Sequence, residues 1–525
     1  MKEMSMHIFY SGVIVFLPAL MTLLSLSGCD SFKPDSEQEW VSKNKERASS
    51  LGVILASEHN DARSILHGEK SINLSLHRDD QLITVDYADV IGRGPKYYGV
   101  EYSWIDQDQD LFLDRYCTLY GNIVRVQISQ ELFEPINDNN DPNYSEINFS
   151  VTTTIDNKMG KTMTYESMFK SLADRFPGMH FQINIWLCAR WNATNPNGYL
   201  DIGGAFPPKD YAEHREFIRE LARWLVHNCG ISPDHLSFAF INEPNLKGFF
   251  VGSRNDLARM AEETRIALDQ VSPLIQMGGL DEVHGTSWTD QFYSRRSGKC
   301  CDIWTFHVYE RGLAAMWKAL NKRTKHLSQC GPVWVTEFAD TANGSPDAKM
   351  NFSTREAALG FADLLGRLWT SGVDGIIHFR LSDTFADFFG GWVGHGLFAD
   401  WRGNHSNGRA YEPFPVYWVF ANMYRELGGG EIIKTTSPQG LTVVGTHKAK
   451  GDEIQLSVWV TNSTNKRYVV KIKMINLPIK KARVHVFDNL LGDRPFETKV
   501  LSDEEVTFDV NISQKSSYLF VVTPL

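Results

Sequence analysis

From about residue 98 onward, short β-branched or aromatic runs alternate with longer segments whose apolar residues return every three or four positions. The short runs cover 98–104, 122–129, 180–187, 236–241, 274–279, 303–309, 333–337 and 375–380. Amphipathic stretches over 211–228, 257–270 and 354–370 lie between some of them. Strand and helix in turn imply parallel βαβ units. Eight such units predict an α/β fold, a (β/α)8 TIM barrel, rather than an open sheet.

A last helical stretch over 411–427 ends at Gly428-Gly429-Gly430. Period-two alternation then takes over in 441–446, 453–461, 468–475, 482–487 and 518–522, with no helix between. This reads as a small C-terminal β-sandwich, and the alternating segment around Leu82 is placed to join it. The expected organisation is a leader over 1–29, a tether and strand region over 30–96, a barrel over 97–427 and a sandwich over 428–525. Inserts over 137–163 and 383–413 follow the second and eighth strands, at the mouth where barrels bind substrates.

The leader is a nearly unbroken apolar run over 8–26, preceded by Lys2 and Glu3 and stopping at Leu26-Ser27-Gly28-Cys29. Its length suits an export signal better than a full membrane span. Small residues before a Cys resemble the bacterial lipobox, which implies cleavage and lipidation of Cys29. An uncleaved anchor would tether the chain equally. Either reading makes this an exported, membrane-anchored protein, periplasmic or on the cell surface. The other cysteines, Cys117, Cys188, Cys229, Cys300, Cys301 and Cys330, lack the paired spacing of a zinc site and read mostly as buried free thiols.

Charge narrows the partners. With 53 Lys+Arg against 63 Asp+Glu the net charge is −10, so no basic footprint for nucleic acid is visible. The 14 Trp, 18 Tyr and 31 Phe supply flat rings of the kind that sugar faces stack on, and Trp104, Trp191, Trp288 and Trp392 fall near loop ends. The run Asp106-Gln107-Asp108-Gln109-Asp110 imitates a calcium loop, but Leu111 stands where Gly is needed and Cys117 where Glu is needed. Strand ends without clustered His and Asp likewise predict neither metal nor cofactor.

Two strand ends carry glutamates: Asn242-Glu243-Pro244-Asn245 closes the fourth, and Glu337 in Thr336-Glu337-Phe338 closes the seventh. In a ring of eight strands these face one another across one mouth. Two carboxyls so placed are what glycosidic cleavage requires, one to protonate the leaving oxygen and one to meet the anomeric carbon. Pro244 keeps Glu243 out of the helical region, which predicts an extended exit from the strand. Asn242 offers an amide to a substrate hydroxyl.

These residues resemble clan A of the glycoside hydrolases, the retaining (β/α)8 enzymes, over about residues 98–427, and the trailing sandwich resembles families thirty and thirty-nine of that clan. The resemblance implies Glu243 as acid/base and Glu337 as nucleophile. It implies that Tyr309, in Phe306-His307-Val308-Tyr309, hydrogen-bonds the nucleophile, that His307 contacts substrate, and that Arg125 on the second strand steadies Glu337. Many family-five members carry Trp at the end of strand eight, where this chain has Phe379-Arg380-Leu381; Trp392 from the following loop is the candidate to replace it. The substrate expected is a β-linked polysaccharide, cleaved as an endo-β-glycanase of β-glucan or β-mannan type. The same residues would serve an exo-β-glycosidase such as a xylosidase. A lipid-anchored carbohydrate-binding protein on a retired barrel is the alternative from another class.

Overall fold

The computed structural model describes residues 81–102, 109–137, 147–151, 164–197, 205–246, 248–293, 300–309, 313–339, 353–386, 391–393, 395–399, 411–450, 453–477, 482–492, 494–501 and 506–524. The leader with Cys29, Trp104 and most of both mouth inserts lie outside the described residues. No described helix is long and apolar enough to cross a membrane.

Strand β1 (Leu82–Arg93) precedes eight parallel strands: β2 (Tyr97–Glu101), β3 (Ile123–Ser129), β4 (His180–Leu187), β5 (Leu236–Ala239), β6 (Gln276–Gly278), β7 (Trp304–Val308), β8 (Val333–Phe338) and β9 (Gly375–His378). Pairing runs from β2 through β6 on one side and back through β9 and β8 to β7 on the other. A parallel bridge between Gly278 and Ile303, with Gly279 N–H donating to Ile303 C=O at 2.9 Å, closes the ring. Around it lie α1 (Gln109–Leu119), α2 (Tyr165–Arg175), α3 (Tyr211–His227), α4 (Arg254–Val271), α5 (Ser287–Tyr293), α6 (Leu313–Leu327), α7 (Arg355–Trp369) and α8 (Pro415–Leu427). Side chains of Thr164, Asp210, Ser253 and Thr354 accept from first-turn N–H groups of α2, α3, α4 and α7.

Strand periodicity sorts the residues between two faces. Val124, Val126 and Ile128 of β3, and Phe181, Ile183 and Ile185 of β4, join the core under the helices. The residues between them face the barrel axis. Ile123, Ile303, Trp334 and Ile377, with Tyr97, make the apolar floor of the barrel. Gly375 leaves room for Trp334 there, since a Cβ at that position would lie 2.5 Å from its ring. Above the floor the axis-facing residues turn polar: Arg125, Gln182, Asn184, Thr305, His307, Thr336 and Glu337, all buried. Barrel interiors are ordinarily filled by branched aliphatics. A polar filling this deep survives only if its groups satisfy one another.

One irregularity aims the site. Phe306 pairs with Val335 but His307 pairs with Glu337, so Thr336 is an extra residue on β8. A bulge of this kind lets two successive side chains face one way. Thr336 and Glu337 therefore both point to the axis, and Phe338 returns to the helical side against Phe361 and Phe420.

The remaining strands are the short hairpin β10 (Thr384–Ala386) with β11 (Gly391–Val393), then β12 (Glu431–Thr436), β13 (Leu441–Lys450), β14 (Glu453–Asn462), β15 (Tyr468–Ile475), β16 (Ala482–Asp488), β17 (Glu497–Leu501), β18 (Val506–Ile512) and β19 (Ser516–Pro524). Strands β12 to β19 and β1 form one nine-stranded sheet around a separate apolar core. Strand β1 sits in its middle, antiparallel to β12 and parallel to β15, so the segment around Leu82 does join the C-terminal unit.

Several expected boundaries move. The fifth barrel strand shrinks from 274–279 to Gln276–Gly278, because Pro273-Leu274 belongs to a turn and Leu274 stands exposed. The helix expected from 411 begins at Pro415, whose missing N–H suits a first helical position. Strands β12, β17 and β18 were not anticipated; β18 alternates cleanly but is short and polar on its outer face. The six cysteines are free, but only Cys188 and Cys229 are buried, while Cys300, Cys301 and Cys330 are partly covered and Cys117 is exposed.

The sheet docks on the barrel through β14. Leu456, Val458 and Val460 enter the sandwich core, whereas Trp459 points the other way into the barrel core and donates Nε1–H to Ala362 C=O of α7 at 3.2 Å. Beside it Thr442 donates to Asp363, which also accepts from Arg367 at 2.9 Å. Replacing Trp459 by Ala is expected to cost about 3–5 kcal/mol. A lowered urea midpoint with barrel and sheet still unfolding together is the expected reading, and an unchanged midpoint would show that the docking is not set by this side chain.

Candidate active site

Arg125 reaches the axis from β3 with no exposure at all. Its Nη1 donates to Glu337 Oε1 at 2.6 Å and to Glu101 Oε2; its Nη2 donates to Asn242 Oδ1 at 2.8 Å and to Asp281 Oδ2 at 3.0 Å. Four barrel strands thus place an acceptor on one guanidinium. Glu337 takes a second bond, at 2.8 Å, from the Tyr309 hydroxyl to Oε2.

Glu243 follows β5 and is likewise buried. It departs from the extended exit expected of a residue before proline, because its φ is +45°. Pro244 keeps the residue out of the right-handed helical region, and Leu246 N–H closes a turn on Glu243 C=O at 2.9 Å immediately after it. Such strain is tolerated where surrounding contacts over-determine it. Here Asn245 supplies them. Its side chain donates to Val283 C=O at 2.6 Å and accepts from Val283 N–H at 3.3 Å, strapping the turn to the loop after β6.

His307 stands between the two glutamates, with Nδ1 2.8 Å from Glu243 Oε1 and 3.6 Å from Glu337 Oε2. One oxygen of each glutamate and one ring nitrogen lie within 4.8 Å of one another. Burial would discharge the ring, but Glu337, Asp281 and Glu243 outweigh it and push its pKa up to about 10. Burial is also the main force raising Glu243, reinforced by the charge of Glu337 and opposed by His307. Burial, then Glu337, pushes the Tyr309 phenol well up. Asp281 runs the other way: burial opposes its ionisation, yet Arg125 and His307 hold it far below the ordinary carboxylate range. The carboxylates across the mouth therefore differ in kind. Glu337 accepts from a guanidinium and a phenol, while burial biases Glu243 toward its protonated form.

The triple Glu243, His307 and Glu337 is also the one set of His and carboxylate groups, among the described residues, spaced to hold a cation. Its donor chemistry does not suit one. Glu337 already accepts from a guanidinium and a phenol, and a protonated imidazole has no lone pair to give.

Six sequence candidates therefore meet at one point: Arg125, Asn242, Glu243, His307, Tyr309 and Glu337. The side chain of Trp392 lies outside the described residues, although its backbone pairs with Phe385. Phe379 is half-buried at the end of β9, its ring 5.4 Å from that of His395. Trp191 donates to Glu134 C=O at 2.8 Å, and Trp288 packs on Phe250 and beneath Arg254. Glu101 and Asp281 were not foreseen. Both fall at strand ends and are as deeply buried as Arg125, and an acid at each of several strand ends was the available signal.

Residues 241–360 match the family described as "Glycosyl hydrolase catalytic core". The match begins at Ile241 before Glu243 and runs beyond Glu337, so the matched segment spans both glutamates. A beta-xylosidase of Caldicellulosiruptor saccharolyticus is 29% identical over 167 residues, or 28% of this chain. The chain spans about a third of that relative, 33% of its length. A glycoside hydrolase family 30 subfamily 8 xylanase from Clostridium acetobutylicum superposes with a TM-score of 0.58 at 13% identity, over 84% of this chain and 99% of the other. A GH39 beta-xylosidase from Caulobacter crescentus does so at 0.59 and 16%, over 85% and 100%. These two likenesses are of fold. What they show is the barrel with its sandwich.

Because the folded His307 keeps its proton up to about 10 against an ordinary 6.5, its stabilisation is complete below about pH 6.5 and is lost as pH rises through about 10. Thermal midpoints of the wild type are expected to fall over that interval, and those of His307→Gln to fall less. Equal slopes in the two proteins would remove His307 from the account.

Proposed function

We propose that the protein is a retaining glycoside hydrolase acting on β-linked sugars, with Glu337 as nucleophile and Glu243 as acid/base. The observation that carries this is the convergence of one oxygen from each glutamate within 4.8 Å. A retaining pair sits at about 5–5.5 Å between carboxyls, whereas an inverting pair needs about 6.5–9.5 Å to admit a water. In the first step Glu337 attacks the anomeric carbon while Glu243 gives its proton to the departing oxygen. The resulting glycosyl ester is then hydrolysed by water, whose proton returns to Glu243, and the anomeric configuration is kept. Arg125 and Tyr309 hold the attacking carboxylate; Asn242, its Oδ1 taken by Arg125, presents its amide nitrogen to a sugar hydroxyl.

The relatives named above are a xylosidase, a xylanase and a second xylosidase. They favour a β-xylosidic substrate over the β-glucan or β-mannan read from sequence. Exo and endo action use the same two glutamates, and sizing of products from β-1,4-linked xylo-oligosaccharides over time separates them.

Replacing Glu337 by Gln is expected to abolish turnover with the fold intact by circular dichroism. Replacing Glu243 by Gln should slow glycosides with poor leaving groups by about 10²–10⁴-fold. Dinitrophenyl glycosides, which need no protonation, should keep a fast first step, with azide trapping a product of retained configuration. Full activity in either variant, or an inverted product, would overturn the assignment.

Export and lipid anchoring at Cys29 belong to the same proposal, supported by the apolar run over 8–26 and the small residues before Cys29. In a bacterial host the full chain is expected in the membrane fraction and Cys29→Ser in lower yield there; identical partitioning would set the lipid anchor aside.

A further inference from the structure

Among the buried groups that the proposed chemistry leaves unused, Asp281 has the densest set of contacts. It follows β6 with no exposure and a φ of +49°, a conformation that non-glycine residues adopt only when held in it. Oδ1 accepts from Thr336 Oγ1 at 2.6 Å; Oδ2 accepts from Asn184 Nδ2 at 2.9 Å and from Arg125 Nη2 at 3.0 Å. Asp281 N–H itself donates to Thr305 Oγ1 at 3.1 Å. Three donors thus fix the plane of the carboxylate, and the fixed plane brings Oδ1 to 3.8 Å from His307 Nε2, a nitrogen with no hydrogen-bond partner of its own.

The ring is consequently flanked by carboxyl groups at both nitrogens. Nδ1 faces Glu243 Oε1 at 2.8 Å and Glu337 Oε2 at 3.6 Å; Nε2 faces Asp281. The other charged or titratable neighbours are Tyr309, its ring centroid 6.3 Å from that of His307, and Arg323 of α6, which donates to the His307 carbonyl. Arg125 lies one contact away, across Glu337 and Asp281. A neutral imidazole must present a lone pair at one nitrogen. At Nε2 that lone pair would face Asp281, and at Nδ1 it would face Glu243 Oε1, from which it would take the acid proton. The doubly protonated ring instead donates toward carboxyl oxygens on both sides. If it donates from Nδ1 to Glu243 Oε1, that oxygen is occupied as an acceptor, and the acid proton of Glu243 resides on Oε2.

We propose that Asp281 is a positioning residue that keeps the His307 ring doubly protonated and thereby places the Glu243 proton on Oε2, free for the departing sugar oxygen. The proposal rests on the acid/base reading of Glu243. Without the Asp281 charge the ring becomes neutral at lower pH, Nδ1 accepts the Glu243 proton instead, and the acid is turned away from the substrate. Asp281 touches no reacting atom; it acts through His307.

Two measurements test this. In wild-type protein with 15N-labelled histidine, assigned against His307→Gln, both His307 ring nitrogens are expected to stay protonated at pH 7; a neutral tautomer there overturns the proposal. In Asp281→Asn, the alkaline limb of kcat/KM on aryl β-xylosides should move at least about one pH unit down. At pH 7 the loss should be at least about ten-fold greater for phenyl than for dinitrophenyl leaving groups, since only the former needs the acid. An unmoved limb, or equal losses on both, assigns Asp281 a purely structural role. Should that variant fail to fold, the wild-type titration decides alone. If wild type cleaves no aryl glycoside of any β-linked sugar, the hydrolase reading falls, whereas the ring titration needs no substrate and still decides whether Asp281 governs His307.

Discussion

A guanidinium that cannot lose its proton sits in the middle of this barrel with no access to water. Removing such a charge from water costs several kcal/mol even after relaxation. The ring must therefore deliver anions to Arg125, and it does so from β2 with Glu101, from the end of β6 with Asp281 and from β8 with Glu337. Asn242 adds an amide oxygen from the end of β5. Each of these positions follows from the need to neutralise one cation, and Glu337 is among them. Of the three carboxylates on that cation, Glu337 is the one with any exposure, at 6%.

The second glutamate is prepared by the opposite means. Glu243 meets burial first and one imidazole second, with the charges of Glu337 and Arg125 acting on it in opposite senses. Two carboxyl groups a few ångströms apart thereby meet different environments, one a guanidinium and a phenol, the other burial and an imidazole. Tyr309 belongs wholly to the anion's side, and His307 bridges the two, so the ring is the element through which a change on one carboxylate is felt by the other.

Much of this was legible in the residues. Alternation of apolar runs and helical stretches gave the eight strands, and period two over 441–522 gave the accessory sheet. Spacing placed Glu243 and Glu337 at one mouth with Asn242 beside the first, and the family resemblance added Arg125, His307 and Tyr309. What the residues hid was long-range. Glu101 and Asp281 lie 24 and 156 positions from the arginine they pair with, and nothing local marks either as buried. The left-handed Glu243 also escaped, since a proline only excludes one region of backbone space and the contacts that hold the segment, Asn245 on Val283, are long-range. The bulge at Thr336 was invisible because an inserted strand residue is defined by its partner strand and not by its own sequence.

Irregular backbone clusters where the chemistry would occur. Glu243 and Asp281 have positive φ, and Thr336 is the extra residue of a bulge. Each departure turns a side chain inward that regular geometry would send elsewhere. Each is also held by a bond to another of the set: Asn245 straps the Glu243 turn to Val283, two residues beyond Asp281, and Thr336 donates to Asp281 directly. Strain of this kind costs about 1–3 kcal/mol per residue and persists only if its neighbours hold it. The bonds that hold the Glu243 turn and the Thr336 bulge both end on the segment after β6, beside the seam at Gly278 and Ile303 where the ring closes. The side chains that present the two glutamates are thus anchored to the same stretch of chain that joins β6 to β7, so closure of the ring and the geometry of the mouth are coupled there.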